Sequence, residues 1–231
     1  MLYSSRYEKN MGTIGADGQS KLSGSCAAVI GCGGLGGWII ELLARSGIGK
    51  LIVVDGDVFS ESNLNRQILC TENNIGRNKS EEAVRRIAVI NSDVKAKSVP
   101  LFFNEDNAKE ILTGCDIVFD ALDNIQSRLI LCRAARLLDI PIVHGAIGGW
   151  FGQISLIMPD SKLLPDIWEN QNDKGIETEL GNPPFTPSIT ASFQVSEGIK
   201  YLTGENTYLS RDSLLYVNML ENKLDKIKLG G

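Results

Sequence analysis

The sequence predicts an α/β fold: a Rossmann-like, mostly parallel sheet with helices on both faces, extended by antiparallel strands near its C-terminus. Three observations carry this expectation. Short apolar runs alternate with amphipathic stretches as far as residue 143, the signature of a parallel sheet with crossover helices. A glycine-rich turn joins the first apolar run to the first amphipathic stretch. Two late strand-like runs, Leu214–Met219 and Leu224–Lys228, have the spacing of a hairpin added to a sheet edge.

The elements follow in order. Ala27–Ile30 reads as a strand, Gly34–Ser46 as a helix, Leu51–Val54 as a strand and Ser80–Ile90 as a helix. The alternation continues through a strand at Lys95–Val99, a helix at Glu105–Leu112, a strand at Ile117–Phe119, a long helix at Ile125–Leu138 and a strand at Pro141–Val143. The texture then changes. Gly145, Gly148, Gly149 and Gly152 surround a strand at Gln153–Met158, and the polar, proline-bearing stretch Pro159–Pro187 reads as a long loop. A last helix at Ser188–Leu202 precedes the hairpin.

Gly31-Cys-Gly33-Gly34-Leu-Gly36 follows a strand and opens a helix, the context that gives this pattern meaning as a nucleotide site. Glycines allow a tight turn and close backbone approach, and a helix N-terminus offers unpaired N–H groups and a positive dipole end to phosphate. Asp55, at the carboxyl end of the second strand, is placed to accept hydrogen bonds from a ribose. The competing reading is that the glycines serve only helix–strand packing. The loop alone does not separate NAD from ATP.

Ser62-Asn-Leu-Asn-Arg-Gln67 lies just beyond that strand, where a dehydrogenase would proceed directly to its next helix. Arg66 offers a planar fork of donors suited to phosphate oxygens, and Asn63, Asn65 and Gln67 suit holding either the chain or a ligand. Lys79 falls in the first turn of a helix that Asn78 and Glu81 would cap. A cation there opposes the helix dipole unless an anion sits between them, and the alternative is a solvated lysine pointing away. Asp120 and Asp123 end the fourth strand. Either carboxylate suits magnesium, which needs one or two carboxylates besides phosphate oxygens and water, while Asp123 or Asn124 equally suits capping the helix from Ile125.

Composition excludes several classes. A net charge of -5 gives no general attraction to nucleic acid or to an anionic membrane. No run approaches the roughly 20 apolar residues that span a bilayer, and the N-terminus lacks a signal-peptide pattern, so the expected location is cytoplasmic. The five cysteines form no C-x-x-C pair, which argues against a disulfide framework or a zinc site. The single histidine, His144, reads as a packed, hydrogen-bonded residue.

Taken together, the glycine loop, Val54-Asp55-Gly-Asp57, the Ser62–Gln67 segment, Lys79 and Leu122-Asp123-Asn124 resemble the ThiF/MoeB/HesA family, relatives of the ubiquitin-activating enzymes. The match spans roughly residues 3–158 and continues more weakly to the helix ending at Gly204. The resemblance implies a single adenylating domain over residues 1–231, divided into an N-terminal arm (1–26), a nucleotide-binding core (27–158), a long loop (159–187) and a late helix with an edge hairpin (188–231). It implies ATP and magnesium at the glycine loop, ribose contact by Asp55, phosphate contacts by Arg66 and Lys79, and metal binding by Asp123, with Asp57 and Asn124 as neighbouring site residues. The implied reaction is adenylation of the C-terminal carboxylate of a small Gly-Gly-ending, ubiquitin-like sulfur carrier, in thiamine, molybdenum-cofactor or related sulfur metabolism.

Three departures from the family pattern qualify it. The N-terminal Arg-Tyr-x-Arg-Gln pattern reads Arg6-Tyr-Glu-Lys9-Asn10, so Lys9 keeps the charge but loses the guanidinium fork of a residue that reaches across a homodimer in relatives, and Arg6 is the substitute. The paired zinc motifs are absent, so no zinc is expected. No cysteine follows Cys132; Glu179 falls about where sulfur-transferring relatives carry one, so an enzyme thiol is not expected to take part there. The rival readings are a same-fold enzyme that adenylates a peptide or small-molecule carboxylate, an NAD-dependent dehydrogenase, and a catalytically silent partner subunit. Gly230-Gly231 reads as a chain end.

Overall fold

The computed structural model describes residues 4–161, 168, 180–207, 209 and 212–229. One sheet of eight strands organises them, in the order β3-β2-β1-β4-β5-β6-β7-β8. β1 (Cys26–Ile30), β2 (Lys50–Val54), β3 (Lys95–Val99), β4 (Ile117–Asp120) and β5 (Ile142–Gly148) are parallel, and β6 (Phe151–Ile157), β7 (Ser213–Asn218) and β8 (Lys223–Lys228) continue antiparallel.

Strand order explains the apolar runs. β1 and β4 lie inside the sheet with helices over both faces, and every one of their residues is buried. Alternate residues supply two cores. Ala27, Val29, Leu51 and Val53 face α2 (Gly34–Ser46) and α3 (Lys79–Ile90), while Ala28, Ile30, Ile52 and Val54 face α4 (Glu105–Leu112) and α5 (Ile125–Leu137). The chain crosses from one face to the other between β3 and β4, so the connections leaving the paired carboxyl ends of β1 and β4 turn to opposite faces of the sheet. That divergence is where an open α/β sheet forms a crevice.

The first core also receives α6 (Phe185–Thr203), which lies beside α2 and crosses β5 and β6. Its fit is close. A Cβ on Gly145 would fall 2.3 Å from the Gln194 side chain, and one on Gly152 2.2 Å from Thr190 Oγ1.

Several boundaries differ from the sequence expectation. The arm contains a 3₁₀ turn, Ser5–Asn10, and α1 (Gly15–Gly24), for which the polar sequence gave no periodic signal. α1 buries little beyond Leu22 and is held by polar contacts instead, with Lys21 Nζ donating to Thr203 O at 2.7 Å and Gln19 Nε2 to Ser46 O at 2.9 Å. β5 runs on to Gly148 through glycines that looked irregular, because β6 pairs back along its whole length. α6 begins at Phe185, inside the stretch assigned to the long loop; most of that stretch, including Glu179, lies outside the described residues, as do Gly230 and Gly231. Among the described residues no helix is long and apolar enough to cross a membrane.

Candidate functional site

At the carboxyl ends of β1, β2 and β4 opens a cleft of about 480 Å³, lined by Gly31, Gly33 and Gly34, by Asp55–Asp57, and by Arg66, Gln67, Lys79, Asp123 and Asn124. The glycine loop divides its labour. Gly31 has φ +97°, and a Cβ there would sit 2.6 Å from Ala121 O; a Cβ on Gly36 would meet Gly31 O at 1.8 Å. Those two serve the chain's own turn and packing. Gly33 and Gly34 are open to the cleft, where the nearest atoms to an added Cβ lie at 3.6 Å. Packing and ligand approach thus fall to different glycines of one motif.

Gly33 is the N-cap of α2 and supplies no side-chain cap. The first N–H groups of the helix therefore face the cleft with the positive end of the helix dipole, an arrangement suited to an anion. Asp55 sits beside them, its Oδ2 accepting from Cys32 N at 2.7 Å and its Oδ1 from Asp57 N at 2.9 Å. Burial pushes this carboxyl above its usual range, and the two N–H bonds and Lys79 only partly offset that. Each oxygen retains lone-pair capacity for a ribose hydroxyl.

Lys79 is buried and its ammonium lies 3.1 Å from Asp57 Oδ2, so the solvated alternative does not hold. Asn78 caps α3 through Ser80 N and Glu81 N and also donates to the carbonyls of Asp55 and Asp57. The cation at the start of the helix is thereby answered by a carboxylate, and two ammonium donors remain beyond that pair. Arg66 is half-buried at the rim, where Nη1 donates to Ser62 O and Asn65 Oδ1, both at 2.9 Å.

The other polar residues of this segment separate into chain-holding and cleft-facing roles. Asn63 is buried and holds the chain, accepting from Ser60 N at 3.1 Å. Asn65 Nδ2 reaches across to Asn182 O at 3.1 Å. Gln67 lines the cleft beside Gly33 with a buried Oε1 that has no hydrogen-bond partner.

The two aspartates after β4 differ sharply. Asp120 is buried, so its candidacy as a metal ligand is corrected: its Oδ2 accepts from His144 Nδ1 at 2.7 Å and pairs with Arg128 Nε at 3.4 Å, and its Oδ1 accepts from Leu122 N at 3.0 Å. Burial pushes Asp120 up, but Arg128 and His144 outweigh it and hold the carboxyl below the usual range. Burial likewise drives the His144 imidazole below its ordinary value, against the pull of Asp120. A carboxylate only accepts, so Nδ1 carries the proton and Nε2 faces Gln153 at 3.4 Å. Asp123 is exposed on the cleft wall, and Asn124, not Asp123, caps α5 by accepting from Ser127 N at 2.8 Å.

Arg6 and Lys9 are not in this cleft. Arg6 bonds Asn91 and pairs with Asp93 at 3.1 Å, at the far end of α3, and Lys9 is exposed on the same turn. The rise of a 12-residue helix puts that end about 18 Å from Lys79. Conversely, sequence reasoning missed Arg128, which lines the cleft, donates to Leu122 O at 2.6 Å and stands 6.0 Å from the Trp168 ring. Its position one turn into α5 beyond the Asn124 cap was the available signal. Leu101 and Phe102, exposed cleft-lining residues after β3, and Asn182 gave none.

Comparisons with known proteins bear on the family and the fold. The ThiF family model matches residues 7–231. A SAMP-activating enzyme E1 of Haloferax volcanii is 33% identical over 216 residues, covering 91% of this chain and 80% of that protein. A sulfur carrier protein adenylyltransferase of Thermus thermophilus is 37% identical over 222 residues, covering 91% and 82%, and a sulfur carrier protein ThiS adenylyltransferase of Bacillus subtilis is 35% identical over 196 residues, covering 83% and 58%. Among solved structures, PaaA superposes with a TM-score of 0.82 at 20% identity over 99% of this chain and 75% of its own. MccB of E. coli with ATP gives 0.78 at 21% identity over 99% and 72%. These last two share the fold.

Proposed function

Because the chain belongs to the ThiF family, we propose that it is an ATP-dependent adenylyltransferase that activates the C-terminal carboxylate of a small ubiquitin-like sulfur-carrier protein. The observation that carries the reading is the convergence, on one cleft, of an uncapped helix N-terminus with Asp55, Arg66, Lys79 and Asp123. Relatives named for activating SAMP and ThiS support the carrier as acceptor. Sulfur incorporation for thiamine, molybdenum cofactor or a related product is the metabolic setting, and the cytoplasm the location.

The chemistry asks for alignment and charge compensation. A carboxylate oxygen attacks the α-phosphorus of ATP, the bond from that phosphorus to the bridging oxygen of pyrophosphate breaks, and the acyl-adenylate keeps the AMP moiety. Two anions must meet, so cationic and N–H groups fixed in advance do most of the work. The N-terminus of α2, Arg66 and Lys79 bind phosphate oxygens, and Asp55 holds the ribose. No protein nucleophile is required, which suits a chain with no cysteine after Cys132.

The donors present fit magnesium. Among the described residues no cluster of three acidic, cysteine or histidine side chains could cage a metal, and magnesium bound with ATP needs only a carboxylate such as that of Asp123 beside phosphate oxygens and water. Held there, it supplies charge compensation at those oxygens. Arg6 and Lys9, remote from their own cleft, serve a site only on a neighbouring copy, and a homodimer is part of the proposal.

Pyrophosphate exchange into ATP tests the reading. Exchange is expected only when a Gly-Gly-ending carrier from the same genome is added. Exchange with free peptides or small carboxylates alone would transfer the activity to another acceptor class, and tight NAD binding without Mg-ATP binding would overturn it altogether.

A further inference from the structure

The aromatic tip of the β5–β6 hairpin has no part in the nucleotide cleft, yet it forms an exposed apolar surface beside it. Trp150, Phe185 and Leu180 are 46%, 38% and 45% exposed, with the Trp150 and Phe185 rings 4.7 Å apart. With Gly149, Phe151 and Pro183 they line a second groove, of about 550 Å³. Its walls are tied together: Gly149 N donates to Gly181 O at 2.8 Å, Thr186 Oγ1 donates to Gly149 O, and Asn65 Nδ2 holds Asn182 O.

Asn182 lines both the groove and the nucleotide cleft. Its Oδ1 is buried and has no hydrogen-bond partner. An unpaired acceptor at the junction of an apolar groove and a phosphate-binding cleft suits, once the side chain turns outward, the backbone N–H of an extended chain passing from one to the other. β5 gives the scale of that passage. Ala146 and Ile147 line the cleft, and Gly149 and Trp150 the groove, so roughly four extended residues at about 3.3 Å each cover the distance.

We propose that the Trp150–Phe185 groove is a specificity pocket for the acceptor's tail: it takes a large apolar side chain roughly four residues before the carboxylate, while Asn182 Oδ1 accepts from the tail's backbone. The intervening residues run past Asn182 into the nucleotide cleft. This inference rests on the adenylation reading for the direction of the tail and adds what the enzyme selects.

The test uses the full chain and synthetic ten-residue peptides of alanine and serine ending Gly-Gly, with a single Phe moved through the third to sixth positions from the C-terminus. Binding is measured by calorimetry with a non-hydrolysable ATP analogue, and pyrophosphate exchange is measured separately with ATP and a Gly-Gly-ending carrier from the same genome. One Phe position is expected to bind about tenfold more tightly than the all-alanine peptide, the scale of burying one aromatic side chain. Trp150→Leu and Phe185→Ala, at unchanged melting temperature and unchanged ATP affinity, should erase that preference, and Asn182→Leu should weaken every peptide alike.

Phe-dependent peptide binding with no exchange when the carrier is added would sustain the pocket and remove the adenylation reading. Peptide binding indifferent to Phe position, with carrier-dependent exchange unaffected by Trp150→Leu, would overturn the pocket and leave adenylation standing. Absence of peptide binding would overturn the pocket, as would conversion of a dimer to a monomer by Trp150→Leu, which would assign the groove to a second copy of this chain.

Discussion

The parallel and antiparallel halves of the sheet answer different physical demands. In the parallel half β1 and β4 are buried throughout, so their outlet to solvent is at the strand ends, and the charged groups of the cleft sit on the loops and first helical turns that follow β2 and β4. In the antiparallel half β7 is partly covered and β8 is exposed at all six residues. That half meets solvent along a face and at a hairpin tip. A fold of this kind concentrates fixed charge where backbone ends converge and leaves contact with larger partners to the half that has a free surface.

The sharpest way to break the comparison is to overfill the parallel half. Gly36→Ala places a methyl 1.8 Å from Gly31 O, where neither helix nor loop can yield cheaply. A loss of at least about 3 kcal/mol is expected by chemical denaturation, at the upper end of overpacking costs. Gly33→Ala, whose Cβ has 3.6 Å to its nearest neighbour, should stay within about 1 kcal/mol and instead weaken ATP binding. Equal destabilisation by both would mean that the loop is packing alone.

Asp123→Asn follows. The side chain is exposed and caps nothing, so melting should be unaltered, while carrier-dependent exchange falls by about 10²–10³-fold, comparable to removing one preorganised charge-stabilising group. Asp120→Asn should do the reverse in emphasis, destabilising the chain because Arg128 and His144 lose their buried partner. If Asp123→Asn retained full exchange, the metal assignment would fall.

How much of this was legible in the sequence depends on which half is considered. The central strands, the glycine loop and the residues Asp55, Arg66 and Lys79 were readable because apolar runs and local motifs encode them within a few residues. Arg128 was not, since its meaning comes from Leu122, Asp120 and Trp168, which α5 and the sheet bring together. Nor was α1, whose anchorage to Ser46 and Thr203 is polar and long-range. The role of Asn182 depends on Asn65 and the hairpin tip, separated from it in sequence by many residues.

The only histidine allows a pH test of the parallel half. His144 is fully buried and its folded pKa is depressed below the ordinary value near 6.5. As pH falls through that value the unfolded chain takes up a proton that the folded chain refuses, so stability declines with falling pH until the folded pKa is reached. One proton gives a slope of at most about 1.4 kcal/mol per pH unit. His144→Gln should flatten the melting-temperature profile just below pH 6.5; an unchanged profile would assign the slope to other groups.

The smallest effect belongs to the exposed edge. Lys223 lies 2.8 Å from Glu221, but both side chains are more than half exposed, so Lys223→Ala should cost no more than about 0.5 kcal/mol in denaturant unfolding. The strand's charges have a different use. β8 presents Lys223, Lys226 and Lys228 along an edge with, among the described residues, no further strand beyond it, and charged edge residues discourage pairing with another chain. Replacing Lys226 and Lys228 with valine should therefore leave unfolding nearly unchanged at low concentration while lowering solubility, read by light scattering as concentration rises. A large loss of stability instead would mean that β8 is packed against a partner, and the contrast between a covered half and a free half would no longer hold.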